Sequence, residues 1–309
     1  MQRRIMAALN LQVIYVVTLC ICINADNLLN QEQESRDNEI ERLRKEGMDE
    51  PELFYDLMHT KNFHRNCSHL NVTEICNKMK ALYKLNITSN HKSDYNFMVD
   101  CSGFYGLYND VYKLFSESNF EDYFAFRRYV YYKSGTDVDE ERRMKNAAYR
   151  QAIIQSSKAN NICDNKLYLI LKKPTMWYER KFSIDKTEYE LDDFTLGMQY
   201  LESEYNYRSR RKRESTYTTA FFEFDLPNPY LCVNFHNLRQ YSYRESYTYM
   251  LPETKFFIND TYWEDSTVIG LRLKLMQNDE KMTIFEQQKK VMRKLKKLKE
   301  SDTKFYIDC

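Results

Sequence analysis

The sequence predicts an α+β fold, in which an N-terminal helical region is followed by a Tyr-rich, mainly antiparallel β region and a basic C-terminal helix. Three observations predict it. From Glu52 to about Asn160 the apolar residues recur at three- and four-residue steps, as the buried stripe of an amphipathic helix requires. After Cys163 the period drops to two, and Ile269, Leu271, Leu273 and Leu275 alternate with Gly270, Arg272 and Lys274. Helices first and strands second is the order of an α+β chain rather than of an alternating α/β one.

Leu53, Leu57 and Met58 share one helical face, and Ile75, Met79, Leu82 and Tyr83 share another. Tyr105, Tyr108, Val111, Tyr112 and Phe115 continue the pattern, followed by Phe120, Tyr123, Phe126 and Tyr129 or Val130. One more helix is expected over 137–158, after Ser134-Gly135. Beyond Cys163, Leu167–Leu171 is a short apolar run closed by Pro174, Phe221–Phe224 is closed by Pro227, and Tyr241–Tyr249 is rich in strand formers. A last helix is expected over 282–300. With 6 Gly and 5 Pro in 309 residues, long elements and few tight turns are expected.

The N-terminus reads as a secretory signal. Arg3 and Arg4 precede an apolar stretch from Leu11 to Ile23, and Ala25 is a small residue suited to the cleavage position. The apolar run is shorter than the roughly 18–20 residues of a spanning helix, so no transmembrane span is expected and the product is placed outside the cell, secreted. The expected organisation is a signal peptide over 1–25, a charged leader over 26–50 and a helical, disulfide-bonded, glycosylated region over 51–162. A mixed segment over 163–213 then ends in a basic processing site, and a β-rich region with its C-terminal helix covers 214–309.

Of eight cysteines, Cys20 and Cys22 leave with the signal. Cys67, Cys76, Cys101, Cys163, Cys232 and Cys309 remain, an even set that reads as up to three disulfides with about fifteen possible pairings. Asn66, Asn71, Asn86 and Asn259 each begin an Asn-x-Ser/Thr acceptor for N-glycosylation. Arg208, Arg210, Arg211, Lys212 and Arg213 form a cluster matched to the acidic cleft of a furin-like proprotein convertase, with the cut after Arg213. The charge balance, 46 basic against 45 acidic residues, argues against nucleic acid as a partner.

No Gly-x-Ser-x-Gly, His-Glu-x-x-His or phosphate-loop motif occurs, so neither an enzyme nor a cofactor is expected. His59, His64 and His69 surround Cys67, but steps of five place them on different helix faces, so no metal site is expected. Seven basic residues between Lys289 and Lys299 accompany an apolar stripe of Ile284, Gln288, Val291, Leu295 and Leu298. Such a helix either binds heparan sulfate or an anionic membrane surface electrostatically, or docks its stripe on the body and leaves its lysines solvated.

Between 115 and 200 the chain resembles the inhibitory prosegment of papain-type cathepsins. The residues that carry the resemblance are Phe126 in Phe120-Glu-Asp-Tyr-Phe-Ala-Phe, Glu141, Lys145, Tyr149 and Asn160 along the next helix, and Phe194 in Tyr189-Glu-Leu-Asp-Asp-Phe-Thr-Leu. Ala152, Ser156 and Leu196 depart from the family's pattern. The resemblance implies two crossed helices and an extended segment around Phe194 that enters a papain-type protease cleft. No catalytic domain of that family follows. Two functions are therefore expected. The first is a secreted, glycosylated precursor, cut by a convertase and acting on an extracellular protein partner as a binding or signalling factor. The second is a cysteine-protease inhibitor or its non-inhibitory descendant.

Overall fold

A computed structural model describes residues 30–59, 67, 69–83, 91–109, 119–132, 138–156, 166–182, 187–198, 216–226, 231–236, 246–263, 271–277, 282–299 and 305–308. The chain divides into two compact units, Met1–Tyr55 and Asp56–Cys309. In the first, residues 30–45 form helix α1 and α2 begins, spanning Pro51–Met58. Exposed pairs stud this unit: Arg42 with Glu46 at 3.1 Å, and Arg44 with both Glu41 and Glu52 at 2.6 Å. Such pairs contribute at most about 1 kcal/mol each.

The second unit opens with helices α3 (Val72–Leu82), α4 (His91–Leu107), α5 (Phe120–Tyr132) and α6 (Val138–Ser156). Asn71 caps α3 through a reciprocal box: its side chain accepts from Glu74 N at 2.9 Å, while Glu74 accepts from Asn71 N at 2.8 Å. The expected face of α3, Ile75, Met79 and Leu82 with the following Tyr83, is buried. A disulfide from Cys76 to Cys101 ties α3 to α4. The helices meet over aromatic rings, with Phe124 at 5.4 Å from Tyr83, 5.5 Å from Phe97 and 5.8 Å from Phe104. Arginines cap the cluster. Arg143 lies 4.7 Å above Tyr83 and donates to Leu82 O at 2.7 Å, and Arg127 lies 5.1 Å above Phe104.

Eight strands form one sheet: β1 (Lys166–Pro174), β2 (Glu188–Glu190), β3 (Thr195–Met198), β4 (Tyr217–Asp225), β5 (Cys232–His236), β6 (Ser246–Met250), β7 (Lys255–Trp263) and β8 (Leu271–Gln277). Their order is β2-β7-β8-β4-β1-β3-β6-β5. Every pairing is antiparallel except β4 with β8, so the mainly antiparallel α+β expectation holds. Register sets the core. Leu169 pairs with Phe222 and Phe222 with Leu273; Leu167 pairs with Phe224 and Phe224 with Leu275. Side chains opposite one another share a face, so these rows build one apolar layer. A short helix α7 (Thr175–Lys181) supplies Tyr178 and adjacent Phe182 to that layer. Thr175 N donates to Thr216 O at 3.1 Å, which anchors α7 beside the start of β4.

Residues on the opposite face mix rings and charges. Tyr168 stacks on Phe221 with centroids 5.9 Å apart, Arg272 lies 5.0 Å above Phe221, and Lys166 pairs with Glu223 at 3.0 Å. The final helix, α8 (Ile284–Lys299), packs against α6, and α6 also contacts β5, whose Val233 is buried. Gln287 joins α8 to the lead-in of β5 by accepting from Leu231 N at 2.9 Å.

β3 approaches β1 closely. A β-carbon on Gly197 would stand 2.9 Å from Leu167 Cβ, closer than real side chains come. Gly197→Ala is therefore expected to lose about 1–3 kcal/mol through overpacking, read as a lower urea midpoint. An unchanged midpoint would show that the two strands separate easily.

Candidate functional site

A small surface cleft of about 40 Å³ forms where α6, the β6–β7 turn and α8 meet. Its walls are apolar: Leu251 and Pro252 from the turn, Met282 before α8 and Val291 within it. Tyr149 of α6 enters from one side, and Glu253, Lys290 and Lys294 bring charge. Each has a local cause.

Tyr149 is held by Phe194, with ring centroids 5.1 Å apart. Burial, with Glu253 and Asp193 nearby, raises its hydroxyl pKa above the ordinary tyrosine range, so the group stays protonated. Glu253 sits at the turn with φ of 64°, a left-handed conformation that a non-glycine residue adopts only when its surroundings impose it. The imposing bonds are visible: Glu253 N donates to Leu191 O at 2.8 Å, and Leu191 N donates to Thr254 O at 3.0 Å. Thr254 Oγ1 closes the turn on Leu251 O at 2.6 Å. The Glu253 carboxylate pairs with Lys294 of α8. Lys290, one turn earlier on the same helix, is exposed at the cleft. α8 is fixed at its start by Thr283 and Glu286, whose carboxylate pKa is lowered by hydrogen bonds from the Thr283 backbone and hydroxyl. Two ammonium groups face one carboxylate across an apolar floor, an arrangement suited to an amphipathic anion.

The residues expected to form a protease-inhibiting surface do something else. Phe126 and Phe194 are buried. Glu141 pairs with Lys145, which also lies 3.9 Å from Asp193. Tyr149 and Lys145 thus clamp α6 onto the segment that leads into β3. Thr195–Met198 is an interior strand, paired with β6 over four residues and joined to β1 at Tyr168–Met198. Backbone groups already bonded to β6 along this strand are not available to a protease cleft. The expected extended inhibitory segment is therefore corrected to a sheet strand. Asn160 lies outside the described residues.

The processing cluster, Arg208, Arg210, Arg211, Lys212 and Arg213, also lies outside them, as do Asn66, Asn86, Cys163, Cys309 and His64. Asn71 and Asn259 are exposed, the latter on β7. His59 and His69 are exposed, and no group of metal-binding side chains gathers among the described residues. Besides the Cys76–Cys101 bridge, Cys67 and Cys232 are disulfide-bonded. Among the described residues no helix is long and apolar enough to cross a membrane. The expected boundary at Arg213 falls between strands of a single sheet, because β1 pairs with β4 along nine residues.

No protein-family model matches the chain, and no curated protein matches it. Solved structures do. The type III effector XopAI of Xanthomonas axonopodis pv. citri matches at 10% identity, covering 73% of this chain and 90% of the effector, with a TM-score of 0.39. The Vis toxin of Vibrio splendidus, an ADP-ribosyltransferase, matches at 11% identity over 72% of this chain and 90% of the toxin, with a TM-score of 0.34. C3stau2 from S. aureus, solved with NAD, matches at 8% identity over 57% of this chain and 94% of its own, with a TM-score of 0.34.

XopAI is named as an effector, and the Vis and C3larvin toxins as ADP-ribosyltransferases; none of these is a cathepsin prosegment. Four expectations are corrected accordingly: the prosegment resemblance, the extracellular binding or signalling precursor, the protease inhibitor kept as its alternative, and the absence of enzymatic activity. The furin-like convertase and the papain-type protease lose their support as partners with them. At these TM-scores the likeness assigns no role to any residue of this chain.

Proposed function

We propose that this protein binds a small amphipathic anion, an apolar or aromatic body carrying phosphate or carboxylate, in the cleft between α6, the β6–β7 turn and α8. The observation that carries the reading is the pairing of Lys290 and Lys294 with an apolar floor and the protonated Tyr149 hydroxyl. Pockets for small ligands are mainly apolar, with a few placed polar groups that fix orientation, and this cleft has that composition. Lys294 is already oriented by Glu253, so Lys290 supplies the charge that an incoming anion meets first. Secretion, suggested by Arg3, Arg4 and the Leu11–Ile23 stretch, places the ligand outside the cell.

NAD combines two planar rings with two phosphates and is the first probe, followed by AMP and by uncharged adenosine. Isothermal titration of the purified protein is expected to show binding of the charged probes and none of adenosine. Lys290→Glu is expected to weaken binding at least tenfold, about 1.4 kcal/mol. Release of free nicotinamide from bound NAD, followed by chromatography, tests turnover in the same samples. No heat with any anionic probe at millimolar concentration, or equal binding by the Lys290→Glu protein, would overturn the proposal.

A further inference from the structure

α8 has a second face that the cleft does not use. The helix carries seven basic residues against a single acidic one, Glu286. Gln288, Val291, Met292 and Leu295 are buried, and the turn of the helix puts Arg293 and Lys297 on the side away from them, with Lys289 and Lys296 flanking that side. Arg293, Lys296, Lys297 and Lys299 are exposed. This row does not follow from composition, since the whole chain is close to neutral.

We infer that this face binds a linear sulfated polysaccharide of the heparan sulfate class. From Lys289 to Lys299 the charges run about 15 Å along the helix axis, at 1.5 Å per residue. A compact phosphate meets one or two such groups, whereas a linear polyanion meets the whole row. A bilayer is a poorer occupant. Helices that lie in a membrane surface insert an apolar face, and the apolar face of α8 is already buried in the protein. The proposal is independent of the cleft, because Arg293, Lys296 and Lys297 do not line it.

The test is retention of the purified protein on immobilised heparin at 0.15 M NaCl. The wild type is expected to be retained and to elute well above that concentration. Attraction of this kind is screened as the Debye length falls from about 8 Å at 0.15 M to about 3 Å at 1 M. The triple variant Arg293→Glu, Lys296→Glu, Lys297→Glu is expected in the flow-through, with its folding checked by circular dichroism. A control triple on β1, α7 and β8, Lys173→Glu, Arg180→Glu, Lys274→Glu, changes net charge equally and is expected to stay bound. Three results would overturn the inference: wild type in the flow-through, an equal loss in the control triple, or binding to phosphatidylserine vesicles without heparin retention. If the triple variant fails to fold, the neutral pair Arg293→Gln, Lys297→Gln carries the same test, with an earlier elution expected and an unchanged elution against the inference.

Discussion

Replacing Arg150 with alanine is expected to destabilise the protein by about 3–5 kcal/mol, the cost of leaving a buried carboxylate without its partner. Arg150 of α6 and Asp122 of α5 are buried to 5% and 4% side-chain exposure. They meet through two contacts, Arg150 Nη2 with Asp122 Oδ1 and Arg150 Nε with Asp122 Oδ2, the second at 3.3 Å. The guanidinium also lies 4.5 Å from the Tyr306 ring, and Ile307 N donates to Glu121 at 3.2 Å. The pair therefore holds two helices and the C-terminal tail at once. In urea denaturation Arg150→Ala should move the midpoint far down, and limited proteolysis should then reach residues 305–308. The double change Arg150→Met, Asp122→Leu should recover most of the loss, because it removes both charges together. A loss below about 1 kcal/mol for Arg150→Ala would mean that water reaches Asp122 and the pair is not desolvated.

Removing the Cys76–Cys101 disulfide by paired serine substitution is expected to lose about 3.5 kcal/mol. The bond closes a loop of 25 residues, and that figure is the loop entropy it withholds from the unfolded chain. Both cysteines are fully buried beside Ile75, Met79 and Phe104, so serine hydroxyls add a desolvation penalty in the same direction. Thermal unfolding of the variant against the wild type, each with and without reductant, separates the two contributions. Reductant also opens the disulfides of Cys67 and Cys232, so the reduced wild type should come close to the reduced variant. If the wild type in reductant keeps its midpoint, the helices α3 and α4 are held by their aromatic packing alone.

Much of the fold class is legible in the chain because burial follows periodicity. The stripe Ile75, Met79, Leu82, the alternation Leu271, Leu273, Leu275 and the stripe Val291, Leu295 are each buried as their spacing requires. β7 is less legible. Its pairing with β8 shifts register between Ile258 and Asp260, and a bulge of this kind breaks the two-residue alternation that marks a strand. β3 is short, carries Gly197 and holds only a few apolar residues, so nothing local separates it from an extended loop. That is why Phe194 and the residues after it resemble an inhibitory segment while they lead into and form a sheet strand. The cleft is less legible still. Tyr149, Glu253 and Lys290 lie far apart in sequence, and no motif links them. A signal of sorts is present in Leu251-Pro252-Glu253-Thr254, a turn between two strand-forming runs, but it says nothing of what faces it.

The sequence by itself determined the order of helices and strands, their buried faces and the concentration of positive charge on the last helix. These depend on neighbours within a turn or two, where side-chain spacing and burial are coupled directly. Tertiary structure alone decided that β1 and β4 adjoin across the basic cluster, that β4 and β8 run parallel, that Cys76 takes Cys101, and that Arg150 is sealed against Asp122. Each of these joins residues separated by tens of positions, and many alternative pairings satisfy the same local pattern. The choice among them rests on packing the whole unit at once, where a buried charge must find its partner and every interior strand must find two neighbours.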